Sequence, residues 1–206
     1  MSARMNSIAV VTASDAAAWD DTTIDRARAV GRMVAESGCN LITGGGKGGM
    51  AIVAQAFCET PGRLGRSIGV IPGKVKWAGN ALFGKVGNLT WEPKDESYPN
   101  EWIEIPIRTQ LLGGQRDVAK GKDSRNIINV ASADLVVVLP GGPGTQAELE
   151  LALSFSEKQV YVLLRQQDQV GEYRQMTIPR TGQVKVAGDP DELNRLIAEW
   201  LSQRAR

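Results

Sequence analysis

The sequence predicts an α/β fold built on a doubly wound, mainly parallel sheet, and two observations carry that prediction. Short runs of β-branched and aliphatic residues recur along the chain without polar alternation, which is the pattern of strands buried on both faces. Segments of helical periodicity separate these runs, and strand–helix alternation places helices on both sides of one sheet.

The first run, Ile8-Ala9-Val10-Val11, supplies the opening strand. It is far too short for a signal or membrane helix, so neither export nor membrane insertion is expected. A helix over Thr22 to Glu36 then leads to a strand over Asn40 to Thr43, and a helix over Gly49 to Cys58 leads to a strand over Ile68 to Ile71. The strand Ile103 to Ile107, the helix Arg125 to Ala131 and the strand Leu135 to Leu139 continue the alternation. The helix Gly144 to Ser156 and strands over Val160 to Leu164 and Gln183 to Val186 follow. The last helix is the best marked. Asp189 is placed to cap it, Pro190 takes the first helical position, where a missing N–H costs nothing, and Glu192 completes a capping box. Leu193, Leu196, Ile197, Trp200 and Leu201 then form one apolar stripe. Only the stretch Lys74 to Glu101, rich in Gly, Pro, Asn and charge around Trp77, Phe83, Trp91 and Tyr98, reads as an irregular excursion. Residues 1–206 are therefore expected to form one Rossmann-like, nucleotide-binding domain.

Composition narrows the function. With 24 Lys+Arg against 23 Asp+Glu and no basic block, no nucleic-acid partner is expected. The chain has no histidine, which excludes Ser-His-Asp triads, Cys-His pairs and His-ligated metal sites together. No metal site is expected. Cys39 and Cys58 fit neither a CxxC motif nor a disulfide framework, consistent with a cytoplasmic protein.

Two glycine clusters follow strands and open helices. Gly44-Gly45-Gly46-Lys47-Gly48-Gly49 holds five glycines in six positions, and its backbone N–H groups can face an anion. It matches G-x-G-x-x-G only formally, because it follows the second strand and the next strand ends in Ile71-Pro72-Gly73 without an acidic residue. The second cluster, Leu139-Pro140-Gly141-Gly142-Pro143-Gly144-Thr145-Gln146-Ala147-Glu148, repeats the strand-to-helix arrangement, so both turns can line one crevice. Two readings of Glu148 stand level: a carboxylate stabilising positive charge on a ribose carbon, or the partner of Thr145 in a capping box. Arg125 falls in the first turn of its helix, where a cation opposes the helix dipole. It serves either a ligand or a surface pair with Asp123. Ser14, after the first strand, is a weaker candidate for the same crevice, and Lys47, Arg63 and Arg66 are candidates for added positive charge.

Gly44-Gly45-Gly46 with Gly49-Met50, Gly69-Val70-Ile71-Pro72-Gly73, Arg125, and Pro140-Gly141-Gly142-Pro143-Gly144-Thr145 with Glu148 resemble the LOG family of cytokinin-activating phosphoribohydrolases over about Ile8 to Leu164. The resemblance implies catalytic roles for Arg125 and Glu148, and nucleotide phosphate binding by Gly45, Gly46, Gly142, Gly144 and Thr145. It further implies hydrolysis of the N-glycosidic bond of a purine nucleoside 5′-monophosphate to free base and ribose 5-phosphate, with no cofactor. LOG enzymes carry Met-His-x-Arg-Lys around the arginine, whereas this chain has Lys122-Asp123-Ser124-Arg125-Asn126. That neighbourhood, with Gly142-Pro143-Gly144-Thr145 and Ile105-Pro106-Ile107, resembles the related molybdenum cofactor carrier proteins, which implies a non-catalytic alternative with a phosphorylated pterin as ligand. Both resemblances imply a homo-oligomer, a homodimer or a homotetramer.

Overall fold

The computed structural model describes residues 4–78, 88–111, 124–163 and 184–204. The strands are β1 (Ser7–Val11), β2 (Asn40–Thr43), β3 (Ser67–Ala78), β4 (Asn88–Pro93), β5 (Ile105–Thr109), β6 (Leu135–Val138), β7 (Gln159–Leu163) and β8 (Val184–Ala187). The helices are α1 (Asp21–Glu36), α2 (Gly49–Glu59), α3 (Asn126–Ser132), α4 (Pro143–Leu153) and α5 (Pro190–Arg204). The described strands all join one sheet, in which β5, β3, β2, β1, β6, β7 and β8 lie side by side and parallel. This is the α/β, mainly parallel, doubly wound architecture that the alternating pattern predicts.

Successive strand residues serve opposite layers. Ile8, Val10, Leu41, Leu135, Val137 and Tyr161 pack with α1, α2 and α5 on one face. Ala9, Val11, Ile42, Val136, Val138 and Val160 pack with α3 and α4 on the other. Burying each of these aliphatic side chains contributes about 1.5–3 kcal/mol, so both layers are needed to hold the central strands. The capping box of α5 forms as expected: Glu192 N–H donates to Asp189 Oδ1 at 2.8 Å, and Glu192 Oε2 accepts from Gly188 N–H at 2.9 Å. Leu193, Ile197 and Trp200 of its stripe are buried.

The segment expected to be irregular from Lys74 to Glu101 is regular in part. Gly73 to Ala78, the far half of β3, pairs antiparallel with β4, while Ile68 to Pro72 of the same strand pairs in parallel with β5. The alternation Lys74-Val75-Lys76 against Leu89-Thr90-Trp91-Glu92 is a period-two pattern that the surrounding Gly, Asn and charge obscured. Lys76 and Glu92 form an ion pair across the ribbon at 2.6 Å, and the Trp91 indole N–H donates to Thr109 O at 3.0 Å. Phe83 lies outside the described residues. Among the described residues, no helix is long and apolar enough to cross a membrane.

Candidate functional site

The chain builds the sheet outward from β1 in one direction through β2, β3 and β5, and in the other through β6, β7 and β8. The carboxyl ends of β1 and β6 thus flank a topological switch point, where open α/β sheets leave a crevice. Both glycine clusters meet there. Thr12, just past β1, donates to Pro140 O at 3.4 Å and packs against Gly49, where a Cβ would lie 2.6 Å from its Oγ1. Gly49 N–H donates to Ala13 O at 3.0 Å, and the Ser14 carbonyl lies against Gly48. Ser14 itself is exposed at the rim.

The first glycine turn is buried and fastened from a direction the sequence did not signal. Asn100 N–H donates to Gly45 O at 2.8 Å, Asn100 Nδ2 donates to Gly46 O at 2.7 Å, and Asn100 Oδ1 accepts from Trp102 N–H at 3.0 Å. The Tyr98 ring closes over Gly46, where a Cβ would approach its Cε1 to 2.8 Å. Replacing Asn100 by alanine strands Gly46 O and Trp102 N–H, and is expected to lower stability by about 2–3 kcal/mol in urea denaturation.

Arg125 enters this wall from the N-cap of α3. Its guanidinium lies directly on Gly44, where a Cβ would be 1.9 Å from Nη1, and its Cζ stands 6.0 Å from the Tyr98 ring centroid. The side chain is 4% exposed, yet Nε and Nη1 have no hydrogen-bond partner among the described residues. This is not a surface arginine, and a pair with Asp123 lies outside the described residues. Glu148, on α4, is 8% exposed and accepts from Asn129 Nδ2 of α3 at 3.1 Å. Burial pushes its carboxyl above the ordinary range, against the pull of Arg125 and of the Asn129 hydrogen bond. Asn126 Oδ1 and Asn129 Oδ1 are also buried without partners among the described residues. A buried guanidinium, a carboxyl and two carboxamides with unused bonding capacity form a polar cluster that the described protein does not complete.

The structure separates the two readings of Glu148. Helix α4 begins at Pro143 with Gly142 as N-cap, so Thr145 lies inside the first turn and cannot form the expected box with Glu148. Thr145 is buried with its Oγ1 against Gly141. At Gly142 and Gly144 a Cβ would meet nothing within 4 Å among the described residues. Gly45 N–H is already donated to Thr43 Oγ1 at 3.1 Å, which leaves Gly46 as the freer donor of that turn. Two suggested cations belong elsewhere: Arg63 and Arg66 bind Glu104 at 2.8 and 3.2 Å, beside Ser67 at the opposite end of the sheet. Lys47 is exposed on the glycine turn. The thiols are structural, with burial raising the pKa of both Cys39 and Cys58. Sequence reasoning missed Asn126 and Asn129, whose signal was two asparagines three apart in an otherwise apolar helix, and Tyr98 and Asn100, which carry no local signal.

The chain is similar in family and fold to known proteins. A molybdenum cofactor binding protein from Rippkaea orientalis is 26% identical, with 97% of this chain and 99% of that chain covered at a TM-score of 0.66. A Moco carrier protein from Chlamydomonas reinhardtii gives 26% identity, the same coverage and a TM-score of 0.66. DNA processing protein A from Helicobacter pylori shares the fold alone, at 12% identity and a TM-score of 0.57 over 94% of this chain and 80% of that one. No curated protein matches the chain. Residues 5–193 match the SLOG cluster4 family, and the chain therefore belongs to that LOG-like family, as the glycine motifs with Arg125 and Glu148 lead one to expect.

Proposed function

We propose that this protein binds and carries a phosphorylated small molecule of the molybdenum cofactor class in the crevice at the ends of β1, β2 and β6, with Arg125 holding the phosphate. One observation carries the reading: a guanidinium 4% exposed whose Nε and Nη1 lack partners among the described residues. A buried cation with unused donors is costly even beside Glu148, and an anionic ligand offsets that cost. Gly46 offers a backbone N–H beside it, while Gly142, Gly144 and Thr145 line the other turn, with Ser14 at the rim. Support comes from the two cofactor-binding relatives matched over nearly the whole chain. A homo-oligomer in the cytoplasm is part of the same reading. The test is anaerobic titration with molybdenum cofactor, expected to saturate at one per chain; absence of binding overturns the proposal.

A second reading, hydrolysis of a nucleoside 5′-monophosphate, is favoured by the placement of Glu148 and Asn129 beside Arg125. Water would add to the ribose C1′ as the C1′–N9 bond breaks, with the electron pair and a proton leaving on the base, and Glu148 would stabilise the oxocarbenium-like state. Incubation of the wild type with AMP, following base and ribose 5-phosphate by chromatography, decides whether the reaction occurs at all. Glu148→Gln separates the readings, because glutamine keeps a carbonyl for Asn129 without the charge. Carrier binding then persists, whereas base release falls to background.

The same variant carries a pH prediction. With the folded pKa of Glu148 above its ordinary 4.5, the folded state holds the extra proton, so this group's contribution to stability falls as pH rises above about 4.5. Glu148→Gln removes that decline, and its thermal midpoint is expected to gain on the wild type progressively from pH 4.5 upward. A constant difference across that range overturns the assignment.

A further inference from the structure

Three adjacent polar side chains of α3 leave hydrogen-bonding capacity unused inside the protein. Arg125, Asn126 and Asn129 stand at positions i, i+1 and i+4, which face one side of a helix. Asn126 and Asn129 are each 2% exposed, and the Oδ1 of each has no partner among the described residues. The Nδ2 of Asn129 is committed to Glu148, which leaves its carbonyl as the free end. Asparagine inside a helix, as at Asn129, is a poorer helix former than alanine. A buried acceptor without a donor adds the cost of stripping its water. Two such residues in a seven-residue helix, beside an unpartnered guanidinium, are not explained by packing.

We propose that Asn126 and Asn129 accept hydrogen bonds from donor groups of the bound small molecule next to its phosphate, so that α3 reads the ligand as well as anchoring it. This rests on the phosphate reading of Arg125. The chemistry that fits is a phosphate ester whose adjacent atoms carry N–H or O–H groups. The ribose hydroxyls of a nucleotide and the ring N–H groups of a reduced pterin both meet that requirement. A phosphorylated ligand presenting only acceptors there would leave both carbonyls unpaired, and is rejected.

The test measures binding of inorganic phosphate, AMP, 2′,3′-dideoxy-AMP and metal-free molybdopterin to the wild type, Asn126→Ala and Asn129→Ala. Phosphate binding is expected to stay within twofold in both variants, while affinity for the donor-bearing ligand falls at least tenfold. If ribose hydroxyls are the donors, the wild type prefers AMP over its dideoxy analogue and the variants lose that preference. If pterin N–H groups are the donors, the variants lose molybdopterin affinity, and AMP and dideoxy-AMP remain equivalent. Unchanged affinity for every organic ligand overturns the inference and leaves the carbonyls to buried water. Loss of phosphate binding in both variants also overturns it, and assigns the asparagines to holding the helix. A wild type that binds no phosphate-bearing probe refutes the reading of Arg125 itself, which separates that failure from this one.

Discussion

Arg125→Met is expected to weaken ligand binding at least a hundredfold while making the ligand-free protein more stable. Each charge-assisted hydrogen bond to a phosphate contributes about 1.5–3 kcal/mol, and Arg125 has two N–H groups without partners to offer. Two such bonds correspond to roughly a hundred- to a thousandfold or more in affinity. Methionine fills much of the space of the arginine stem without bringing a charge into a site 4% exposed. Relief of a buried cation that Glu148, pushed by its own burial toward the neutral form, offsets only in part is expected to raise stability by about 1–3 kcal/mol, the sign opposite to that of most core substitutions. Calorimetric titration reads the first effect and urea denaturation without ligand the second. A variant that is less stable and binds normally would make Arg125 a structural residue. Stability given up for a ligand is the signature of a functional position.

Gly48→Ala is expected to cost about 3 kcal/mol of stability and to displace the loop after β1. Gly48 has φ +68° and ψ −138°, outside the left-handed helical region and in backbone space that residues with a Cβ rarely enter, at a cost of about 1–3 kcal/mol. A Cβ there would also lie 2.5 Å from Ser14 O and 2.8 Å from Asp15 N, both backbone atoms that must move. Gly62 provides the control, because it has φ +74° with nothing within 4 Å of a Cβ. Gly62→Ala therefore isolates the conformational term, at about 1 kcal/mol. Any excess at Gly48 measures the collision with Ser14 together with the strain of its ψ of −138°. Equal losses at the two positions would show that the loop after β1 is not locked onto the glycine turn.

The sheet was legible because burial on both faces writes itself as uninterrupted aliphatic runs, as at Leu135 to Val138. The antiparallel ribbon was not, since its alternation is short and half exposed, and turn-forming residues dominate its neighbourhood. Arg125 was legible from its conflict with the helix dipole, and both glycine turns from their place after strands. The role of Glu148 was undecidable from spacing, because T-x-x-E fits a capping box until the helix start is known. Pro143 at the first position shifts that start two residues ahead of Thr145. Arg63 and Arg66 illustrate the opposite error: nearness in sequence to β3 says nothing about which end of the strand a side chain occupies. Tyr98 and Asn100 reach the site from far along the chain, and a contact of that kind leaves no local periodicity to read.

The hydrogen bonds by which Asn100 holds the glycine turn also bear on kinetics. With both its backbone and its side chain tied to the glycine turn, the Tyr98 side of the crevice is a fixed wall rather than a door. Swinging it outward would break several buried bonds at once. On the carrier reading, a ligand would enter and leave past Gly142 and Gly144, and its residence time would be set by the contacts it makes rather than by the opening of this wall.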